Sequence, residues 1–178
     1  RTGAEIADLI RPETVAIYCE SPGSGTFELQ DIPAIAAVAA PRGIPVMNDN
    51  TWATPLLFPS FEKGVDISIH AATKYIVGHS DAMLGLIVCS EATWSTVRNM
   101  VGLLGYSTAP DDCYLALRGL RTMGLRLERH QQNALKVARW LEARPEVAAV
   151  HYPALESHPD HALWKRDFKG ASGLFAFT

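Results

Sequence analysis

Asp49 and Lys74 are the two residues whose types and placement could do chemistry together. Asp49 follows directly on an apolar run, Ile44-Pro45-Val46-Met47-Asn48, and Lys74 comes shortly after a second one, Val65 to Ile69. A lysine amine condenses with an aldehyde. A carboxylate beside a pyridine nitrogen keeps that nitrogen protonated, so that the ring can accept electrons. A lysine and an acid presented at the ends of two neighbouring strands therefore supply what pyridoxal phosphate chemistry requires. Small and hydroxylic residues flank the lysine: Ala71, Ala72 and Thr73 before it, Gly78, His79 and Ser80 after it. The spacing alone more often describes a solvated surface lysine, and the surrounding sequence has to decide between the two.

The elements around the pair read as alternating strands and helices. Val15 to Cys19 is a short apolar run that predicts a buried strand, and Glu20-Ser21-Pro22-Gly23-Ser24-Gly25 predicts a loop after it. In an open α/β sheet such loops, at the C-terminal ends of strands, form the ligand crevice. Asp31 caps a predicted helix running to Ala40, and Pro41-Arg42-Gly43 ends it. Ile44 to Asn48 and Val65 to Ile69 are the next two strands. Leu84 to Ser90 reads as a further buried strand, and Glu91 to Leu104 as an amphipathic helix with Trp94 and Val97 inward. Asp111 and Asp112 open a stretch without proline that continues to Ala143. As one helix it would hold about 33 residues and span roughly 50 Å, too long for one small domain, with a kink expected near Gly119 or Gly124. After Pro145 come a strand over Val147 to Tyr152, a loop over Pro153 to Asp160 and a strand over Leu174 to Phe177. His70 and His79 flank the lysine without a cysteine or carboxylate at ligand spacing, which points to packing rather than metal. His158 and His161 fall in a polar stretch and are expected to be solvated.

The segments NDNTWATPLLF, IHAATKYIVGHSDAMLG and RGLRTMGLRLERH, with ESPGSGTFE upstream and SGLFAF near the end, resemble the Cys/Met metabolism family of pyridoxal-phosphate-dependent enzymes. The wording is nearest to its bacterial β-cleaving members. The resemblance implies an α/β chain of fold type I, the aspartate-aminotransferase-like architecture: a mostly parallel sheet flanked by helices, followed by the start of a small C-terminal α+β domain. It implies that residues 1–110 are the latter part of the large cofactor domain, 111–144 a connecting helix and 145–178 the start of the small domain. Lys74 is then the cofactor lysine, Asp49 the partner of the pyridine nitrogen and Thr73 a phosphate ligand. Ser24 stands where many members carry an asparagine close to cofactor and substrate, and it is equally readable as a turn residue. Ala71 replaces a serine that often contacts the phosphate, so one such contact is missing.

The implied activity is carbon–sulfur cleavage of L-cystathionine by β-elimination, with a γ-acting reaction as the alternative and a catalytically incomplete fragment as a third reading. The implied assembly is a homotetramer, a dimer of dimers. Family members are about twice this length, so a glycine-bearing phosphate loop, a ring-stacking aromatic and a carboxylate-binding arginine are expected outside this sequence.

Composition bounds the remaining classes. The 178 residues are 48% hydrophobic and 20% charged, as expected of a globular chain, and the net charge of −3 gives no electrostatic case for nucleic acid or an anionic membrane. No apolar run approaches the roughly 20 residues needed to cross a bilayer. The N-terminus, Arg1-Thr2-Gly3-Ala4-Glu5, carries neither a signal-peptide pattern nor a methionine, which suggests a start inside a longer protein. Cys19, Cys89 and Cys113 are odd in number and widely spaced, as buried free thiols of a cytoplasmic protein would be.

Overall fold

The structure, a computed structural model, describes residues 2–178. Strand β1 (Ile17–Glu20) leads through helix α1 (Ile32–Ala39) to β2 (Val46–Asp49). A single-turn helix α2 (Thr54–Leu57) then leads to β3 (Ile67–Ala71), and β4 (Gly85–Cys89) closes a four-stranded sheet of order β1-β2-β3-β4. The first three strands are parallel and β4 is antiparallel to β3. The register pairs Glu20 with Asp49 and Asp49 with Ile69, so the C-terminal ends of the parallel strands lie side by side. Each strand begins or ends one or two residues from its predicted bounds. The shift matters once: Asp49 is the last residue of β2 rather than the first residue beyond it.

Helix α1 forms as its sequence dictates. The Asp31 carboxylate accepts the Ala34 amide at 3.1 Å and so satisfies one of the free N-terminal donors. Ile32, Ile35, Ala36 and Ala39 recur at helical spacing, and all four are buried. They join Ile17, Cys19 and Val46 of the sheet in the main core. Full burial of Ile32 or Ile35 contributes on the order of 2 kcal/mol each. The same core takes in Ala134, Ala138 and Leu141 of the later helices, and Tyr152, Leu155 and Phe168 beyond them.

Several expectations are corrected. The strand β4 is not buried: Leu86, Ile87 and Val88 are 39%, 44% and 37% exposed, because the described residues cover its two faces incompletely. The helix α3 (Glu91–Leu103) contains no buried residue, and Trp94 is 56% exposed rather than inward. Of the free thiols expected to be buried, Cys19 is buried and Cys113 is exposed.

The long helix is two helices, α4 (Pro110–Leu120) and α5 (Met123–Glu142). The break has a packing cause at Gly119, where a Cβ would lie 2.1 Å from the Val77 carbonyl oxygen and 2.4 Å from that of Ile76. The helix therefore presses its bare backbone onto the turn after β3. The carbonyls freed at the break are taken up locally, as Arg126 Nη2 donates to Gly119 O at 2.8 Å and Thr122 Oγ1 to the same oxygen at 3.2 Å.

The C-terminal stretch holds β5 (Val150–His151), helix α6 (His161–Asp167) and β6 (Ala176–Phe177), the two strands pairing antiparallel. An ion-pair network ties it to the first half: Arg166 contacts Asp31 at 2.7 Å and Asp167 at 2.6 Å, and Lys63 contacts Asp167 at 3.1 Å. The hydrogen bonds from Arg166 hold the Asp31 carboxyl below its usual range. His158 is buried rather than solvated. Its Nδ1 accepts the Asp160 amide at 3.1 Å, and Asp160 in turn accepts the Leu29 amide at 3.0 Å.

Candidate active site

The loops after β1, β2 and β3 meet at one edge of the sheet, and each contains a residue with its backbone at positive φ. These are Phe27 at 57°, Thr54 at 60° and Ser80 at 56°. Such conformations cost a non-glycine residue on the order of 1–3 kcal/mol and persist where surrounding structure imposes them.

Asp49, half-buried at the end of β2, accepts the Thr51 amide on Oδ1 at 2.9 Å. Thr51 Oγ1 then accepts the Ala71 amide at 2.8 Å, across the gap to β3. Three residues after Ala71 the chain has turned to present Lys74. The turn is tight, with the Lys74 amide donating to Ala71 O at 3.0 Å, Val77 to Ala72 O at 2.8 Å and Gly78 to Lys74 O at 2.7 Å. Gly78 sits at φ +76°, and a Cβ there would lie 2.3 Å from the Arg126 guanidinium carbon. The guanidinium thus packs flat on the turn. Its burial lowers the Arg126 pKa without discharging the group.

Asp49, Lys74 and Ser24 share a cavity of ≈ 130 Å³, whose other walls include Glu20, Trp52 and Tyr75. Ser24 Oγ donates to the Glu20 carboxylate at 2.6 Å, so its hydroxyl closes the loop onto β1. Thr73 lies on the far side of Lys74, in a second cavity of ≈ 900 Å³ with Arg126 and His130. Its hydroxyl accepts the Leu84 amide at 2.8 Å and points its proton toward Leu84 O at 3.4 Å, a long contact that a better acceptor could replace. Lys74 itself is exposed and reaches both cavities. The four residues singled out in the sequence therefore converge on one region, Asp49 and Ser24 to one side of the lysine and Thr73 to the other.

His70 is buried and shares Ser68 Oγ at 3.0 Å, with its pKa lowered by burial against the opposing pull of Asp49. Among the described residues no group of histidine, cysteine and acidic side chains could hold a metal ion.

Sequence reasoning missed Thr51 as the link between Asp49 and the lysine turn, although its place two residues after the acid, with a hydroxyl, was a usable signal. It also missed Leu174, which lines both cavities from far along the chain. No spacing rule points to that residue.

A family model described as Cys/Met metabolism PLP-dependent enzyme matches residues 1–178. A protein of Rhizobium johnstonii is 58% identical over 176 residues, covering 99% of this chain and 44% of its own length. The cystathionine beta-lyase MetC of Escherichia coli is 49% identical over 179 residues, covering 99% of this chain and 45% of its own length. The crystal structure of cystathionine gamma-lyase from Lactobacillus plantarum complexed with L-serine superposes with a TM-score of 0.94 at 33% identity, over 98% of this chain and 46% of that one. The chain thus spans less than half the length of these relatives.

The donor set fits the family's cofactor. An amine for its aldehyde and a carboxylate for its ring nitrogen face one cavity, and a hydroxyl for its phosphate lies beyond the amine. The phosphate end is the thinnest part of the fit, since Ala71 offers no hydroxyl and that of Thr73 is already bonded to Leu84.

Proposed function

The chain belongs to the Cys/Met metabolism family of pyridoxal-phosphate-dependent enzymes, and we propose that the protein carrying it cleaves the β carbon–sulfur bond of L-cystathionine. Cystathionine and water give homocysteine, pyruvate and ammonia. The observation that carries this reading is the convergence of Asp49 and Lys74 on one cavity at the ends of adjacent parallel strands.

Pyridoxal phosphate, when bound, supplies an electron sink for the pair left at the substrate's α-carbon. In this reading Lys74 Nζ holds the cofactor and moves the proton at the α-carbon. Its exposed position, open to both cavities, leaves it the freedom to reach a substrate atom and then the departing sulfur. Asp49 keeps a positive charge on the ring nitrogen by direct charge pairing. Thr73 turns its hydroxyl proton from Leu84 O to the phosphate, and Ser24 borders the substrate side through its bond to Glu20. The likeness to a solved γ-lyase favours one second reading, cleavage at the γ-carbon, because both reactions use the same lysine and acid.

The finer organisation is part of the proposal. Residues 1–110 are the latter part of a cofactor domain, 111–144 a connector and 145–178 the start of a small domain. The full subunit works in the cytoplasm as a homotetramer. No helix among the described residues is long and apolar enough to cross a membrane.

Borohydride reduction of the cofactor-loaded protein, followed by peptide mapping, is expected to place a pyridoxyl group on Lys74. A label on Lys63 or Lys136 would overturn the assignment. Product analysis on L-cystathionine then separates the reactions: pyruvate with homocysteine supports β-cleavage, and 2-oxobutyrate with cysteine supports the γ reading.

A further inference from the structure

The stretch Gly170–Leu174, which reaches the site at Leu174, is held almost entirely by side chains of other segments. Trp164 Nε1 donates to Gly170 O at 2.9 Å, and Gln131 Oε1 accepts the Ala171 amide at 2.6 Å. Tyr152 Oη donates to Ser172 O at 2.7 Å. Tyr75 Oη accepts the Gly173 amide at 3.2 Å, and Trp52 Nε1 donates to Leu174 O at 2.8 Å. Five successive residues thus give one backbone group each to a side chain of another segment, which satisfies an irregular stretch that has no strand ladder. Two of those side chains, Trp52 and Tyr75, belong to the loops that follow β2 and β3 and line the ≈ 130 Å³ cavity themselves.

The segment ends on Leu174, which is 50% exposed. Among the described residues only three line both cavities: Lys74, Tyr75 and Leu174. An apolar side chain is thereby held at the boundary where Lys74 passes from one cavity to the other. It makes no polar contact and leaves half its surface open, which is the condition of a wall waiting for a ligand rather than of a core residue.

We propose that Leu174 is a specificity-determining residue, the apolar wall against which the side chain of an amino-acid substrate lies beyond its β-carbon, and that Trp52 is a positioning residue acting through the Leu174 carbonyl. This rests on the reading of Lys74 as the cofactor lysine. The class of ligand favoured is an amino acid with an unbranched apolar or thioether chain. An amino acid with no side chain would not touch the wall.

The test uses the cofactor-loaded protein and two amino acids without a leaving group, glycine and L-norvaline, with dissociation constants measured by calorimetry. Leu174→Ala is expected to weaken norvaline about tenfold and to leave glycine unchanged. Leu174→Phe, which fills the space instead of emptying it, is expected to weaken norvaline at least as much. Trp52→Phe keeps an aromatic ring but loses the indole N–H, and should shift the norvaline-to-glycine ratio in the same direction by a smaller factor. An unchanged ratio in both Leu174 variants overturns the inference, as does equal weakening of both amino acids. Borohydride labelling of each variant keeps the two ideas apart. A label retained on Lys74 with an unchanged ratio sinks only the wall, and a label absent from Lys74 in the unaltered protein sinks the underlying assignment.

Discussion

Thr51 Oγ1 accepts the Ala71 amide at 2.8 Å, and this bond, beside the one from the Asn50 amide to Ile69 O at 2.8 Å, fixes the acid-bearing end of β2 to the lysine-bearing end of β3. Thr51 also gives its own amide to Asp49 at 2.9 Å. The separation of carboxylate and amine is thus set by a two-bond relay rather than by the sheet alone, since β2 and β3 pair only as far as Asp49 and Ile69.

Thr51→Val should expose the weight of that relay. The isosteric side chain keeps the packing but leaves the Ala71 amide without its acceptor, at a cost of about 1–3 kcal/mol. We expect a lower unfolding midpoint in urea and weaker cofactor retention on dialysis. Unchanged values for both would mean that the strands hold the geometry by themselves.

Asp49→Asn tests the charge rather than the position. The amide side chain can still accept the Thr51 amide, so the local fold is expected to survive. Loss of the negative charge removes the stabilisation of a protonated ring nitrogen, for which turnover should fall by about 10²-fold or more. Cofactor content, read from its absorbance, should fall far less than turnover. Turnover within a few-fold of the unaltered protein would exclude the role.

Gly119→Ala probes the break between α4 and α5. The added Cβ would meet backbone carbonyl oxygens at 2.1 Å and 2.4 Å, and backbone cannot step aside as a flexible side chain can. A destabilisation of roughly 2–3 kcal/mol is expected, at the upper end for overpacking. A matched Gly102→Ala change, where nothing lies within 4 Å of a built Cβ and the position is exposed in the last turn of α3, should be neutral or stabilising. The difference in thermal midpoint between the two variants is the measurement.

His158 gives the fold an acid-sensitive point. Burial lowers its pKa below the ordinary 6.5, and its Nδ1 can accept the Asp160 amide only while unprotonated. The unfolded chain therefore binds a proton near pH 6.5 that the folded chain refuses. Stability is fully present above that pH and declines as pH falls from there toward the folded-state pKa. His70, also buried with a lowered pKa, contributes in the same sense. Urea unfolding at pH 7.5 and pH 5.5 should show the loss, and His158→Gln should reduce it. A variant that loses as much stability as the parent over this interval would remove His158 from the account.

Much of this was legible in the sequence because it is local. The capping of α1 by Asp31, the placing of an acid and a lysine at strand ends, and the succession of strands and helices depend on short-range periodicity and turn chemistry. What the sequence misplaced depends on neighbours. The apolar run of β4 has the composition of a buried strand, yet burial needs partners on both faces, and the described residues cover them incompletely. Gly119 and Gly124 marked a kink in the long helix, but the full break at residues 121–122 goes with the contact of Gly119 on the turn at Ile76 and Val77, more than forty positions away, which no propensity encodes. His158 looked solvated because its neighbours in sequence are polar, while its neighbours in space are the Asp160 loop and the segment at Leu29. The site divides in the same way. Residue types fixed which groups could react, Lys74 and Asp49 foremost. Only the tertiary structure decided that Thr51 would set their spacing and that Leu174, exactly one hundred residues beyond the lysine in the chain, would stand beside it, because side-chain hydrogen bonds from Trp52, Tyr75, Gln131 and Tyr152 draw that distant segment across the sheet edge.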